Sequence, residues 1–565
     1  MDALRRKNWL ALLMAMMLVL AACSSSGEDD TDTTSGGDTT TTTAADSGDD
    51  TTTTTAADDT GGDAENLNVF LYQAPSAWNP FLPFHGPDQQ VMDLLYQKLI
   101  VNNADFEFEG RLAESWEISE DGTTFTFNLY DGLTWNDGTP LTANDVKFSL
   151  ELLANPNVTG SAGRFSSVLG QPEYAEGTAD EITGYRVIDD TTFEIELSAP
   201  NVGFLTTIAA QSVYTLPEHV LGDVPIEDLA DHAFFLEPTV GYGPYNFVEY
   251  VVDQRVVLEA NSDYHLGAPD IETLTLLPLD GDVATAQLGT GELDLAFISA
   301  SDIELVEGFD DVVIEPAQGT GSIRMSINHG KEQFQDKRVR QAMMHAIDRQ
   351  GLVDVLLEGY GDMVTVGYYT PWALPDGLNE YPYDPDRARE LLDEAGWDPA
   401  TTVEIQWIPG TRDRDAAVPI IQEQWNAVGI TTEIVNVEVS ELIAKRDDGT
   451  YDFTLFGGGD YSVDPHPLYL VTNCDDPSWT GPGWCAQDGV EDLLALWREA
   501  DATADFDERQ EMYHEISRQL NDLVPYIWLY NNNTIWAHSD RLEGFEAHGN
   551  FTEGFVNAHE WTLSE

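Results

Sequence analysis

Apolar and polar residues alternate at several places along the chain, with the period of two that a half-buried β-strand requires. Between these places, apolar residues recur at spacings of three and four, which is the period of an amphipathic α-helix. Strands and helices interleaved over a long chain predict α/β lobes rather than a barrel or a helical bundle. The predicted strands are residues 192–197, 255–259, 274–277, 403–407 and 432–437.

The stretch at residues 122–153 combines both patterns. It alternates at residues 124–129 and then turns at two Asp-Gly pairs, which predicts a hairpin. The apolar spacing that follows is helical, and Thr142 with Asp145 three residues later forms a capping-box pattern. We therefore expect a hairpin that leads directly into a helix.

Two further helices are predicted in the second half of the chain. Residues 337–357 have helical apolar spacing throughout, so we expect one continuous helix there. Asp384 and Pro385 are typical of a helix start, with aspartate as the N-cap and proline in the first turn. Gly396 is placed to end that helix.

The first residues form an export signal rather than part of a folded body. Residues 1–22 place basic residues before a short apolar run that ends on Leu-Ala-Ala, and Cys23 follows. This resembles a bacterial lipoprotein signal, in which the leader is removed and the cysteine is lipidated. Residues 23–65 have no aromatic or basic residue and are rich in Thr and Asp, so they predict a disordered tether. We expect an extracytoplasmic protein anchored to the cell membrane, in the periplasm or at the cell surface.

Acidic residues dominate the composition. The 565-residue chain has 101 Asp and Glu against 25 Lys and Arg, which gives a formal net charge of −76. A surface of this sign repels nucleic acid, so a nucleic-acid partner is not expected. A chain of this length is also too long for one hydrophobic core, and two or three structural units are predicted.

Motifs that carry catalysis are absent from the sequence. It contains no G-x-S-x-G elbow, H-E-x-x-H motif, P-loop or CxxC pair, so we predict no enzymatic activity, no cofactor and no metal site. Cys474 and Cys485 lie in a turn-rich stretch of an exported chain. A disulfide between these two cysteines is the favoured interpretation.

Five blocks of sequence together resemble the extracellular solute-binding proteins, family 5, which serve ABC importers of peptides, nickel and some oligosaccharides. The first block is LAESWEISEDGTTFTFNLYDGLTWNDGTPLTANDVKFSLELL at residues 112–153. Four more follow in order: VGYGPYNFVEY with LEANSDYHLGAPDIETL (240–274), INHGKEQFQDKRVRQAMMHAIDRQGLVDVLLEGYG (327–361), YDPDRARELLDEAGW (383–397) and MYHEISRQLNDLVPYIWLY (512–530).

The resemblance implies a two-lobed clamshell of the periplasmic-binding-protein type, with an extra subdomain in lobe I. By position, subdomain Ia takes residues 66–100, 226–320 and 528–565, subdomain Ib takes 101–225, and lobe II takes 321–527. Ligand bound between the lobes is expected to shift them from open to closed by hinge motion. The family further implies a monomer that delivers its ligand to the permease subunits and ATPase of an ABC importer.

A short peptide is the ligand that the resemblance favours. The stretch GGGDYSVDP is similar to G-W-x-G-D-x-x-D-P of dipeptide-binding members, in which the first aspartate pairs with the α-amino group of the ligand. Asp460 is therefore the candidate, and Asp464 is the alternative because the stretch has one extra residue. IPGTR is similar to M-P-x-x-R and places Arg412 at the carboxylate clamp, with Arg414 as its rival.

An oligosaccharide is the alternative ligand. Trp78 and Asn79 belong to a W-N-P-F stretch that is similar to one in oligosaccharide-binding relatives. Sugar sites use aromatic faces and amide hydrogen bonds, and Trp407 is then a candidate stacking platform. A surface receptor without an importer is a third interpretation.

Overall fold

The computed structural model describes residues 66–564 except 83–84, 160–161, 211, 320, 368–369, 410–411, 460–463, 475–479 and 482. Contacts divide the chain into residues 1–60 and 61–565, and the described residues all belong to the second unit. The predicted signal and tether, with Cys23, lie outside the described residues. In the part of the chain that is described, no helix is long and apolar enough to cross a bilayer.

Strands and helices alternate along the described chain. The strands are β1 (Asn66–Leu71), β2 (Ile100–Asn102), β3 (Phe108–Gly110), β4 (Ala113–Ile118), β5 (Thr124–Leu129), β6 (Tyr185–Asp189), β7 (Thr192–Glu196), β8 (Tyr245–Val251), β9 (Arg255–Ala260), β10 (Thr273–Pro278), β11 (Leu295–Ile298), β12 (Val312–Ala317), β13 (Gly321–Ile327), β14 (Gly361–Met363), β15 (Thr402–Trp407), β16 (Thr431–Asn436), β17 (Phe453–Gly459), β18 (Tyr526–Asn532), β19 (Thr534–Ser539), β20 (Leu542–Glu543) and β21 (Thr562–Leu563). The α-helices are α1 (Gly86–Leu95), α2 (Ala143–Leu153), α3 (Gln171–Ala175), α4 (Leu205–Ile208), α5 (Glu218–Leu221), α6 (Gly281–Thr290), α7 (Ile303–Val306), α8 (Lys337–His345), α9 (Arg349–Leu356), α10 (Pro385–Ala395), α11 (Arg412–Ala427), α12 (Val439–Asp447), α13 (His466–Thr472), α14 (Val490–Asp501) and α15 (Phe506–Leu523).

Three sheets organise these elements. A seven-stranded sheet has the order β12-β19-β11-β1-β10-β9-β8, and a six-stranded sheet has the order β14-β18-β13-β17-β15-β16. Both combine parallel and antiparallel pairs, since β1 runs parallel to β10 and β15 runs parallel to β16. A four-stranded antiparallel sheet, β4-β5-β7-β6, is inserted in the chain between β1 and β8. We call the seven- and four-stranded sheets with their helices lobe I, and the six-stranded sheet with its helices lobe II.

Each lobe has a hydrophobic core of its own. One cluster of buried side chains joins the seven-stranded sheet to the four-stranded sheet. A smaller cluster around Phe70 and Ala537 covers the opposite face of the seven-stranded sheet, because alternate residues of β1 point to opposite faces. The cluster around Met325 and Trp528 lies within lobe II. The predicted two-lobed α/β fold is confirmed, with a separate sheet as the extra part of lobe I.

The chain passes between the two large sheets at two crossovers, from β12 to β13 and from β18 to β19. The crossovers are tied together around Gly319. Its carbonyl oxygen accepts from Asn531 Nδ2 at 2.8 Å, and its amide donates to Asn533 Oδ1 at 3.4 Å. A β-carbon at Gly319 would overlap the carbonyl oxygen of Asn532, so this close approach requires glycine.

The local predictions hold where the pattern is strong. The five predicted strands are present as β7, β9, β10, β15 and β16, with ends within one residue of those expected. The capping box is present at the start of α2, where the amide of Thr142 donates to the Asp145 carboxylate at 2.9 Å. Asp384 caps α10, and Gly396 ends it with a φ of 74°.

Two local predictions were wrong. The helix expected at residues 337–357 is two helices, α8 and α9, because the side chain of Asp348 accepts from the amide of Gly351 and starts a new helix there. The expected hairpin after β5 is reduced to a single bridge between Thr134 and Pro140. β5 pairs instead with β4, which precedes it in the chain, and with the distant β7.

The return from lobe II to lobe I lies later than the predicted boundary between residues 527 and 528. β18 hydrogen-bonds to β13 and β14, so residues 526–532 belong to the lobe II sheet. β19 pairs with β11 and β12 of lobe I. The boundary therefore lies at Asn533. No local sequence pattern reveals this position, because it depends on the strands with which β18 pairs.

Candidate ligand-binding site

A cavity of about 370 Å³ lies at the two crossovers and is lined by both lobes. Lobe I contributes the end of β11, the start of β19 and the loop around Asn550. Lobe II contributes the start of β13, the end of β17 and one side chain of α11. Residues from both lobes that line this cavity include Phe297, Thr534, Phe551, Ser322, Ile323 and Arg414.

Glycines and carboxamides make up much of the cavity wall. The lining includes three asparagines and four glycines, namely Asn532, Asn533, Asn550, Gly319, Gly321, Gly457 and Gly549. Glycine has no side chain, so a ligand can approach the main chain closely at these positions. Several of these backbone groups are already bonded within the protein, since Gly319 bonds to Asn531 and Asn533 and Gly549 accepts from Thr534.

Arg414 brings positive charge to the cavity. A β-carbon at Gly457 would lie 3.7 Å from Nη1 of Arg414 and 2.9 Å from Cδ1 of Ile323. The guanidinium therefore packs over Gly457, the position at which the dipeptide-binding pattern has tryptophan. Arg412 is the first residue of α11, and its side chain lies outside the described part of the structure.

The residues predicted from the W-N-P-F stretch lie in the lobe I core. Trp78 is fully buried and packs against Tyr250, with ring centroids 5.4 Å apart. The side chain of Asn79 accepts from the amide of Phe81 and donates to the carbonyl oxygen of Ala230. Neither residue is among those that line the cavity. Their positions do not support a role in ligand contact.

Trp407 is similarly placed in lobe II. Its indole Nε1 donates to Asn436 Oδ1 at 2.7 Å, and only 7% of the residue is exposed. The ring belongs to the lobe II core and does not line the cavity. Trp407 therefore packs as an ordinary strand residue.

The two aspartates of the GGGDYSVDP stretch have separate surroundings. Asp460 lies outside the described residues, but it directly follows β17, whose last residue Gly459 pairs with the cavity-lining Gly321. Asp464 is buried, and its carboxylate lies 2.6 Å from Nη1 of Arg509 on α15. This ion pair gives Asp464 a structural role in lobe II.

Asp464 belongs to a buried polar network. Nδ1 of His466 lies 2.7 Å from Asp501 Oδ2, and Tyr513 Oη donates to Asp501 Oδ1 at 2.6 Å. Burial by itself lowers the pKa of His466, but the carboxylates of Asp501 and Asp464 outweigh it, so the net shift of this pKa is upward. The carboxylates and cations of the network thus stabilise one another where α13, α14 and α15 meet.

Cys474 and Cys485 are joined by a disulfide. The loop that it closes contacts the turn after β13, since a β-carbon at Gly483 would overlap the carbonyl oxygen of His329. Among the described residues, no group of three or more His, Cys, Asp and Glu side chains is placed to hold a metal ion.

Sequence reasoning missed the asparagines of the cavity. Asn532 and Asn533 belong to the run Y-N-N-N-T, which covers the end of β18 and the start of β19. A polar run between two buried strands was a visible signal for a crossover or a site. Asn550 gave no comparable signal, because it reaches the cavity only through the fold of the last 30 or so residues.

The comparisons with known proteins agree with this architecture. A model of the bacterial extracellular solute-binding proteins, family 5, matches residues 107–478. The chain belongs to this family. It is therefore an extracytoplasmic solute-binding protein of the ABC transporter type and not an enzyme, as the sequence predicted.

Its relatives match over nearly their whole length. The chain is 26% identical over 527 residues to the oligopeptide-binding protein AppA of Bacillus subtilis, covering 89% of this chain and 92% of that protein. It is 26% identical over 497 residues to the dipeptide-binding protein of Escherichia coli, covering 84% and 90%. The crystal structure of the ABC transporter substrate binding protein CtaP from Listeria monocytogenes is similar with a TM-score of 0.77, at 25% identity, and covers 89% of this chain and 100% of that chain.

The Asp464→Asn variant is expected to lower the free energy of unfolding of lobe II by about 3 kcal/mol, because it removes the carboxylate next to a buried guanidinium. Urea denaturation followed by tryptophan fluorescence measures the loss. As a matched control, Glu249→Gln breaks the exposed pair with Arg255 and should cost about 0.5 kcal/mol or less. Equal losses in the two variants would contradict the structural role of Asp464.

Proposed function

We propose that the protein captures short peptides in the cavity between its lobes and delivers them to the permease of an ABC importer. Removal of residues 1–22 and lipidation of Cys23 would anchor it to the cell membrane, with residues 23–65 as the tether. Family membership supports the transport role. Similarity to proteins named oligopeptide-binding and dipeptide-binding supports the peptide ligand.

One observation carries the proposal, namely a cavity whose wall combines glycine backbone with a guanidinium. Main-chain N–H and C=O groups are the natural partners of a peptide backbone, which peptide-binding proteins bind much as a sheet binds an added strand. The side chains of Asn532, Asn533 and Asn550 make the wall polar, and the oxygens of Asn533 and Asn550 already accept from backbone amides of the protein. Arg414 adds the one charge that a peptide C-terminus needs inside a cleft.

The oligosaccharide alternative has less support. Sugar sites present flat aromatic faces, and the aromatic rings among the described cavity residues are Phe297 and Phe551. These two rings pack against each other, with centroids 5.2 Å apart. Neither tryptophan nor tyrosine is among the described residues that line the cavity, so peptide is the better candidate.

A thermal-shift screen tests the ligand class. Mixed di- to pentapeptides are expected to raise the melting temperature, because a ligand at about 100 times its dissociation constant adds about 2.7 kcal/mol to stability. β-linked oligosaccharides at the same concentration should leave it unchanged. A shift with sugars and none with peptides would overturn the proposal.

We infer that the two ends of the peptide are bound by Arg414 and Asp460. A charged terminus inside a cleft needs an opposite charge, since an unpaired buried charge is strongly unfavourable. Arg414 contributes the guanidinium at the cavity wall, and Arg412 stays the alternative. Asp460 follows the cavity-lining end of β17, which supports its predicted contact with the α-amino group.

The Arg414→Gln variant is expected to weaken binding of a peptide with a free C-terminus by about 2 kcal/mol, or by roughly thirtyfold in dissociation constant. The C-terminally amidated peptide should lose little. Isothermal titration calorimetry measures both, and Arg387→Gln, on the exposed face of α10, is the control. If Arg414→Gln weakens both peptides equally, the guanidinium does not bind the carboxylate.

The Asp460→Asn variant is expected to weaken peptides with a free α-amino group by a similar factor and to leave N-acetylated peptides unchanged. We expect this loss because the substitution removes the negative charge that is proposed to pair with the ammonium group of the peptide. Asp393→Asn, on the exposed surface of α10, is the matched control. Isothermal titration calorimetry with free and N-acetylated peptides measures the change in affinity. An equal loss of affinity for both kinds of peptide would rule out the contact with the α-amino group.

A further inference from the structure

A second chamber of about 110 Å³ adjoins the cavity in lobe II. The two spaces share Gly321 and Ser322, the first residues of β13. The rest of the chamber is formed by β14, the segment that follows it, and Asn531 of β18. A group that enters from a ligand in the main cavity would therefore pass over the start of β13.

Aliphatic side chains form most of the chamber wall. Met363 is the last residue of β14, and Val364 and Val366 follow it, with Leu374 beyond them. Val364 and Leu374 are partly buried at the edge of the lobe II core. Their exposed faces present hydrocarbon to the chamber.

Three polar residues of the chamber wall, Asn531, Asp362 and Ser322, are engaged with protein partners. Asn531 Oδ1 accepts from the amide of Asp362 at 2.7 Å, and its Nδ2 donates to Gly319. The Asp362 carboxylate accepts from Gln318 Nε2, and the Ser322 hydroxyl accepts from Arg324 Nη1 at 2.8 Å. These bonds hold the crossovers and the strand ends in place, so breaking one to bind a ligand would cost stability.

The chamber therefore favours an apolar guest over a carboxylate or an amide. A carboxylate or amide side chain that entered would lose water and meet groups that are already hydrogen-bonded, which is unfavourable. An aliphatic side chain would gain contact with four aliphatic residues, worth about 0.8 kcal/mol for each CH₂ removed from water. The size of the chamber fits a branched aliphatic side chain better than an indole ring.

We propose that the chamber formed by Met363, Val364, Val366 and Leu374 is a specificity subsite that takes one aliphatic side chain of the bound peptide. This inference rests on the proposed peptide-binding function. It goes beyond that function because it gives the protein a preference for leucine-like residues at one position of its ligand.

The test compares trialanine with the three tripeptides in which one alanine is replaced by leucine. One leucine peptide is expected to bind to the full-length protein about tenfold tighter than trialanine, as calorimetry measures, since the added carbons enter an apolar site. Replacing the same position with glutamate or glutamine should give no gain over alanine. Equal affinities for trialanine and all three leucine peptides would overturn the subsite. If none of the tripeptides binds, the peptide proposal itself fails, which is a different result.

Variants locate the preference in the chamber. Val364→Phe fills the chamber and should abolish the tenfold gain of the leucine peptide over trialanine, when both peptides are measured on the same variant. Leu374→Ala enlarges the chamber and should shift the preference from leucine toward phenylalanine at the same position, which a purely structural role would not do. Val355→Phe, on the exposed face of α9, is the matched control. A leucine preference that survives both chamber variants would place the subsite elsewhere.

Discussion

The two crossovers between the lobes approach each other at Gly319 so closely that a β-carbon there would overlap the carbonyl oxygen of Asn532. Asn531 and Asn533 complete this tie by bonding the carbonyl oxygen and the amide of the same glycine. Because the cavity is lined by the residues on either side of this tie, its shape depends on the tie. The tie lies between two separate cores, because each lobe has its own cluster of buried side chains.

Charge is distributed differently inside and outside the molecule. The chain as a whole carries a formal charge of −76, yet its cavity wall contains Arg414 and its lobe II interior contains Arg509 beside Asp464. In a strongly acidic chain, a guanidinium at a cavity favours an anionic group of the ligand. The buried arginine serves a different purpose, since it balances carboxylates that connect three helices. The two arginines have different surroundings because Arg414 lies at the cavity wall and Arg509 lies inside lobe II.

Local sequence patterns predicted the strands and helix ends better than they predicted the residues of the ligand-binding site. The alternation in β7, β9, β10, β15 and β16 and the caps of α2 and α10 depend on neighbours in the sequence, so they could be predicted from it. The break between α8 and α9 was missed because a single capping bond at Asp348 outweighs continuous apolar spacing. Trp78 and Trp407 looked like ligand contacts because aromatic residues serve sugar sites, but both pack inside cores. Whether a side chain is buried depends on residues that are distant in the sequence, so a short motif cannot predict it.

The sequence by itself determined the family, the α/β class, the two lobes and the absence of catalytic motifs, because these follow from ordered blocks and from periodicity. Only the tertiary structure decided which residues meet at the cavity. Arg414, Gly457, Asn533 and Asn550 are separated by up to 136 positions in the chain and come together where β17, α11 and the second crossover converge. The physical reason is that a cleft between lobes is built from strand ends and crossovers, whose neighbours are set by sheet pairing and not by sequence distance.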